Sequence, residues 1–171
     1  MNEESLIRRD RMRFTKNSLS ANLAILAIVF DVLYFVGIYQ RNAGTYYYTY
    51  MIGISVIYNL IFMLAAFLSS EGVKNYKKNY TWALLVLGVI QIVRIFILPM
   101  DAHNTTYGSD NTLVMSDTQF TVEVAFLVIS AVCLVASAVV NFVKCTALEA
   151  HMKMLEEQSA GEGEGLTQKS V

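Results

Sequence analysis

AILAIVFDVLYFVGIY, residues 24–39, is an apolar run with one aspartate, Asp31, near its middle. The run is typical of a membrane-spanning helix, which needs about 20 residues to cross a hydrocarbon core of about 30 Å. A carboxylate at that depth costs about 2.5–3.5 kcal/mol on insertion scales, and such residues normally face the interior of a bundle and pair. The run therefore predicts a membrane helix and raises the question of what Asp31 contacts.

The rest of the 171-residue chain has the same character, with 55% hydrophobic and 16% charged residues. Soluble domains have about 45–50% apolar and about 25% charged residues. The apolar runs lack the alternation of a barrel wall, so we predict an all-α, integral membrane four-helix bundle over residues 19–143. A net charge of −1 argues against nucleic acid as a partner, because nucleic acid requires a basic face. The predicted spans are 19–39, 46–68, 81–98 and 120–142.

A cleaved signal peptide is the alternative interpretation of the first run, since a basic segment precedes it. The run is too long for a signal-peptide core, and no A-x-A-like cleavage site follows it. We therefore expect this segment to be retained as the first span.

The connections between the spans alternate in positive charge. Lysine and arginine number five in the basic segment 1–18, one in the first connection, three in the second and none in the third, and Lys144 and Lys153 follow the last span. Cytoplasmic loops carry the excess of positive charge. We therefore expect a multi-pass protein of the cell membrane with both termini in the cytoplasm (N-in/C-in).

The chain beyond the fourth span divides into two segments. In residues 144–158, Leu148, Met152 and Leu155 recur at i, i+4 and i+7, which indicates an amphipathic cytoplasmic helix. That helix is expected to lie on the membrane surface or to dock on a partner. Residues 159–171 lack apolar periodicity, so we expect a disordered tail.

Arg94 is the predicted partner of Asp31. At about 1.5 Å per residue, Asp31 lies about 18 Å from Leu19, and Arg94 lies about 20 Å from Thr81. The first and third spans run in the same direction, so the two depths match. Gln91, one turn before Arg94, shares its helix face.

Other polar and small residues extend this interior face. Tyr34 follows Asp31 on the first span, and Asn59 lies on the polar face of the second. The fourth span carries a stripe of small residues, and such residues let helices approach closely and form hydrogen bonds between helices. Glu123 is expected at the membrane interface, near Arg41 or lipid headgroups. The predicted helix-packing residues are Ser130, Cys133 and Ser137.

Two interpretations of the Asp31–Arg94 pair compete. The first is structural, with the pair fixing helix register inside the bundle. The second is functional, with Asp31 lining a path for an ion or solute. Transporters usually show internal repeats, or helices broken by glycine or proline at the midplane. Here no repeat is visible and Pro99 is predicted to end the third span, so we favour the structural interpretation.

No enzyme, cofactor or metal is expected from the sequence. The motifs of nucleotide-binding loops, zinc proteases and serine hydrolases are absent. The third connection holds His103 with Asp101, Asp110 and Asp117, but their spacing matches no compact calcium loop.

The favoured function is a small non-enzymatic membrane protein, an accessory or scaffolding subunit of a larger membrane complex that could include a transporter. The alternative is a small homo-oligomeric channel or transporter that uses Asp31 and Arg94, with Gln91, Asn59 and Tyr34 lining the path. A third hypothesis is a lipid- or stress-responsive sensor acting through the cytoplasmic helix. The expected partners are membrane lipids and either other integral membrane proteins or further copies of the chain.

Overall fold

The computed structural model describes residues 16–39, 46–107 and 112–167. Most of the predicted basic segment, together with Arg41, Asp110 and the last four residues of the predicted tail, lies outside these ranges. The described chain is all-helical apart from one two-residue ladder, and four helices are long and apolar enough to cross a membrane. The elements are α1 (Ser18–Tyr39), α2 (Tyr46–Lys74), α3 (Asn79–Asn104), β1 (Thr106–Tyr107), β2 (Thr112–Leu113) and α4 (Asp117–Thr167).

Each predicted span lies inside one observed helix, and the prediction of four membrane-spanning helices is confirmed. Three of the helices extend beyond the apolar runs, because polar residues at a membrane surface also form helix. Pro99 was predicted to end the third span, and this prediction was wrong: α3 continues past it to Asn104. Proline is tolerated in membrane helices where neighbouring groups satisfy the freed backbone, and Pro99 is fully buried.

The four helices form a ring in the order α1, α2, α3, α4. Helix α4 has extensive interfaces with α1 and α3, and α1 also packs on α2, whereas the α2–α3 interface is the smallest of the four. Helices α1 and α3 therefore face each other across the diagonal. Small buried residues such as Ala24, Ala27 and Ala138 allow close packing in the core, and the exposed faces are rich in large aliphatic residues.

The turn between α2 and α3 reverses the chain direction tightly. Tyr76 has a φ of 56°, its amide donates to Val73 O at 3.1 Å, and the Lys77 amide donates to Gly72 O at 3.2 Å. These two bonds define a Schellman motif, whose left-handed position is usually glycine. The thiol of Cys145 donates to Tyr76 O at 3.2 Å, which ties the turn to α4.

Helix α4 differs from the sequence prediction in its length. The segment 144–158 is not a separate helix but continues the fourth span, and the helical conformation persists through the predicted tail as far as Thr167. A helix that is already nucleated extends at little cost, and the segment is rich in good helix formers. At about 1.5 Å per residue, α4 is about 77 Å long, well over the thickness of a hydrocarbon core.

Candidate functional site: a charged layer inside the bundle

Asp31 and Arg94 form an ion pair across the diagonal of the bundle. Arg94 Nη1 donates to Asp31 Oδ1 at 2.6 Å, and Gln91 Nε2 donates to the same oxygen at 2.9 Å. Gln91 Oε1 in turn accepts from Arg94 Nη1 at 2.7 Å. Asp31 is fully buried and Arg94 is 5% exposed. The matching depths of the two residues, counted from the sequence, predicted this pairing.

Helix α2 contributes the second acceptor for the guanidinium. Arg94 Nη2 donates to Asn59 Oδ1, and Asn59 Nδ2 donates to the Ser55 carbonyl, one turn earlier, at 2.8 Å. The amide of Asn59 is therefore oriented with its oxygen towards Arg94. Because Ser55 and Asn59 are spaced i, i+4 on one face, the sequence already indicated their proximity.

Helix α4 completes the network through Ser130. Gln91 Nε2 donates to Ser130 Oγ at 3.0 Å, and the hydroxyl of Ser130 donates to the Ala27 carbonyl of α1 at 2.9 Å. One hydroxyl thus joins three helices. We call the fully or almost fully buried set Asp31, Asn59, Gln91, Arg94 and Ser130 the charged layer.

Aromatic rings surround the guanidinium. Arg94 Cζ lies 4.7 Å from the ring centroid of Tyr34, 4.8 Å from that of Tyr58 and 5.6 Å from that of Phe62. Faces of aromatic rings attract cations at such distances. The predicted cluster of Asp31, Arg94, Gln91, Asn59 and Tyr34 is therefore brought together in one place.

Tyr58 and Phe62 were missed in the sequence analysis. Tyr58 precedes Asn59 directly, and Phe62 lies one turn beyond Tyr58, with the two rings stacked at a centroid distance of 6.3 Å. The spacing Ser55, Asn59, Phe62 follows the i, i+4, i+7 pattern of one helix face. That pattern was the available signal for Phe62, whereas Tyr58 reaches Arg94 from the edge of the face.

Two buried oxygens near Arg94 stand apart from this network. Within the part of the chain that the structure describes, Asp31 Oδ2 and the Tyr58 hydroxyl make no hydrogen bond. Buried polar atoms without a partner are uncommon in proteins and call for an explanation.

A cavity of about 370 Å³ lies next to Arg94, in the small interface between α2 and α3. Its walls are mostly aliphatic, and among the described residues that line it only Arg94 is charged. The cavity extends from Tyr58 and Arg94 towards the end of the bundle where α2 begins and α3 ends. Its lining comprises Tyr34, Met51, Ile54, Ser55, Tyr58, Ile90, Val93, Arg94, Ile97 and Leu98.

A second polar layer lies at the opposite end of the bundle. The hydroxyls of Ser20 and Ser137 each donate to the other residue's carbonyl at 2.7 Å. Asn17 Nδ2 donates to Asn141 Oδ1 at 3.1 Å, and Asn141 Nδ2 donates to Thr81 Oγ1 at 2.8 Å. We call these five buried residues, Asn17, Ser20, Thr81, Ser137 and Asn141, the neutral layer.

The three predicted helix-packing residues of α4 have different surroundings. Ser130 belongs to the charged layer and Ser137 to the neutral layer. Cys133 lies between them along α4, is 9% exposed and packs in the apolar core. The stripe of small residues therefore faces the bundle interior along its whole length.

Glu123 is a correction to the sequence analysis. It was predicted at the interface near Arg41 or headgroups, but it is only 4% exposed. Its carboxylate lies directly against Gly37 of α1, where an added Cβ would lie 2.9 Å from Glu123 Cδ. The missing side chain of Gly37 makes room for the carboxylate inside the bundle.

The acidic residues of the third connection pair locally. His103 Nε2 lies 3.0 Å from Asp117 Oδ1, and a two-residue β-ladder closes the connection. Among the described residues, no group of three histidine, cysteine or acidic side chains is placed to hold a metal ion.

No protein-family model, curated protein or solved structure matches the chain. Any assignment therefore depends on the geometry of the charged layer, which takes at least one residue from each of the four helices: Asp31 from α1, Asn59 from α2, Gln91 and Arg94 from α3, and Ser130 from α4.

Proposed function

We propose that the protein is a small, non-enzymatic integral membrane protein that serves as an accessory or scaffolding subunit of a larger membrane complex. The observation that carries the proposal is the apolar surface of α4 beyond the predicted fourth span. Met152 is 51% exposed and Leu155 is 47% exposed. The two side chains share a helix face, because they are three residues apart. An apolar face outside the membrane is typical of a protein–protein contact.

The proposed orientation places this part of α4 in the cytoplasm with both termini. Lys74, Lys77 and Lys78 lie at the turn between α2 and α3. The Asn17 amide donates to Lys74 O at 3.0 Å, and Asn141 Nδ2 donates to Lys77 O at 3.4 Å. The lysine-rich turn, the start of α1 and the exit of α4 are therefore at one end of the bundle. That distribution supports an N-in/C-in topology under the positive-inside rule.

In this proposal the charged layer has a structural role. Its charges neutralise each other, and its hydrogen bonds connect all four helices at one depth. A buried polar network of this kind has few alternative pairings, because a shifted helix leaves a charge without a partner. The layer thereby fixes the register of a bundle whose outer surface is available for lipid and for a partner.

The experiment is a purification of the protein from its native membrane in mild detergent, with the mass of the complex and the co-eluting proteins measured. We expect a stoichiometric larger membrane protein to co-elute. The double variant Met152→Glu/Leu155→Glu should release that partner, whereas Met154→Glu, on the opposite face, should retain it. Elution of the chain alone, or equal effects of both variants, would contradict the proposal.

The second candidate function is a homo-oligomeric channel or transporter that uses the Asp31–Arg94 pair. The observation that favours it is the buried Asp31 Oδ2, which has no hydrogen-bond partner in the described chain and could accept a proton or a cation. Proteoliposomes containing only the purified protein should then show ion or solute flux that Asp31→Asn abolishes. Flux that is unchanged by this substitution, or no flux at all, counts against this function.

A further inference from the structure

We propose that the cavity between α2 and α3 binds an uncharged lipid that carries a carbonyl oxygen, with this oxygen accepting a hydrogen bond from the Tyr58 hydroxyl. The proposal concerns this chain alone and does not depend on the accessory function.

The Tyr58 hydroxyl specifies the polar group of the ligand. It is a buried donor without a hydrogen-bond partner in the described chain, and its residue lines the cavity. The hydroxyl of Ser55, on the same wall, already accepts from Asn59 Nδ2 at 3.3 Å. A buried donor without a partner favours a ligand that supplies an acceptor. A carbonyl oxygen supplies this acceptor without bringing a charge.

The charged layer specifies that the ligand is uncharged. Arg94 is the charged group on the cavity wall, and its charge is already balanced by Asp31 at 2.6 Å. Its two terminal nitrogens already donate to Asp31, Gln91 and Asn59. An anionic ligand would therefore be desolvated in a site of no net charge, which is strongly unfavourable in a hydrocarbon environment.

The cavity walls and volume specify the body of the ligand. The lining is mainly aliphatic, with Met51, Ile54 and Val93 among it. The volume of about 370 Å³ is at the lower end of the range of about 300–1,000 Å³ found for small-molecule sites. The lining residues belong to the membrane-spanning parts of α2 and α3, so the ligand enters from the bilayer. One acyl chain with its ester group fits these requirements.

The test uses the purified chain in detergent with methyl laurate as the probe, and native mass spectrometry measures its binding. We expect one molecule to bind per chain. Tyr58→Phe should lower the affinity about two- to tenfold, the loss of one neutral hydrogen bond. The matched control Tyr50→Phe, on the same helix and 62% exposed, should leave binding unchanged.

Two further probes separate the alternatives. Tridecane has the chain without the carbonyl, and the laurate anion has the chain with a charge; both should bind more weakly than the ester. Equal binding of tridecane would contradict carbonyl recognition, and tighter binding of laurate would contradict the preference for an uncharged ligand.

A third variant and a spectroscopic measurement keep the test independent of the folding of Tyr58→Phe. Ile54→Trp places a large ring one turn from Tyr58 and should abolish binding of the ester. With a ¹³C-labelled carbonyl, the infrared stretching band of bound methyl laurate should move to lower frequency in the unmodified chain. An ester band that stays at its unbonded frequency, or full binding by Ile54→Trp, would overturn the proposal.

Discussion

The charged layer and the neutral layer both join helices through buried polar groups, but they do so in different ways. In the neutral layer, amides and hydroxyls pair mutually, as in the reciprocal bonds between Ser20 and Ser137. In the charged layer one ion pair is central, and Asp31 Oδ2 is left without a hydrogen bond in the described chain. The comparison shows that a neutral network tolerates the loss of one member, whereas a charged network depends on both charges.

The two layers also differ in the packing around them. Near the neutral layer, Gly72 lies so close to the ring of Tyr80 that an added Cβ would overlap it. Beside the charged layer, the α2–α3 interface opens into a cavity. Helix α2 is the least buried of the four spans, and its two ends therefore differ in how closely they pack.

The largest predicted effect is at the ion pair. Asp31→Ala should reduce the free energy of unfolding by about 3–5 kcal/mol, because Arg94 remains buried without a counter-charge. Reversible unfolding in a mixed-micelle denaturant titration measures this loss. The double variant Asp31→Leu/Arg94→Met should be more stable than Asp31→Ala, because it removes both charges and retains apolar volume. A double variant that loses the sum of two single losses would contradict an internal pair.

The next effect tests the difference in packing. Gly72→Ala should destabilise the bundle by about 1–3 kcal/mol, because the ring of Tyr80 must move. Gly53→Ala on the same helix has open space around the new Cβ. It should be neutral or stabilise by up to about 1 kcal/mol, since alanine favours helix over glycine. The same unfolding titration measures both, and equal effects would remove the distinction between the two ends of α2.

A smaller effect is expected for the central amide of the neutral layer. Asn141→Ala removes bonds to Asn17 and Thr81 and should cost about 1–2 kcal/mol. The exposed Asn75, which donates to the Glu71 carbonyl, is the control, and Asn75→Ala should change stability by less than about 0.5 kcal/mol. A loss for Asn141→Ala as large as that for Asp31→Ala would contradict the contrast between the layers.

The smallest effect concerns the serine pair. Ser20→Ala and Ser137→Ala should each cost about 0.6 kcal/mol, the average for a hydrogen bond between membrane helices. Because the two hydroxyls also lie 2.9 Å apart, the double variant should lose less than the sum of the two. A double-mutant cycle measures this coupling, and strict additivity would show that the hydroxyls act independently.

The spans and the central pair were predictable because they depend on quantities that can be counted along the chain. Apolar length determines whether a helix can cross a membrane, and a rise of about 1.5 Å per residue determines depth. Asp31 and Arg94 were matched by depth alone, and Asn59 and Gln91 by their spacing on helix faces.

Other features depend on which helices are neighbours, and this is not visible in local patterns. Glu123 is buried because α1 brings Gly37 against it, and Tyr58 reaches Arg94 because α2 lies beside α3. The continuation of α3 past Pro99 depends on how neighbouring groups satisfy the freed backbone. The neutral layer was only partly visible, as the small residues of α4, because Asn17 and Thr81 lie at helix ends without a periodic signal.

The diagonal position of the ion pair has a consequence for synthesis in the cell. Asp31 and Arg94 are separated by 63 residues, so the first span leaves the ribosome well before its partner exists. At about 5–20 residues per second, the wait is about 3–13 s. During that time the apolar side chains of α1, with a mean hydropathy of 2.2, must hold a carboxylate in the membrane unaided. The third span then acts as a checkpoint of assembly, because only its arrival neutralises the first.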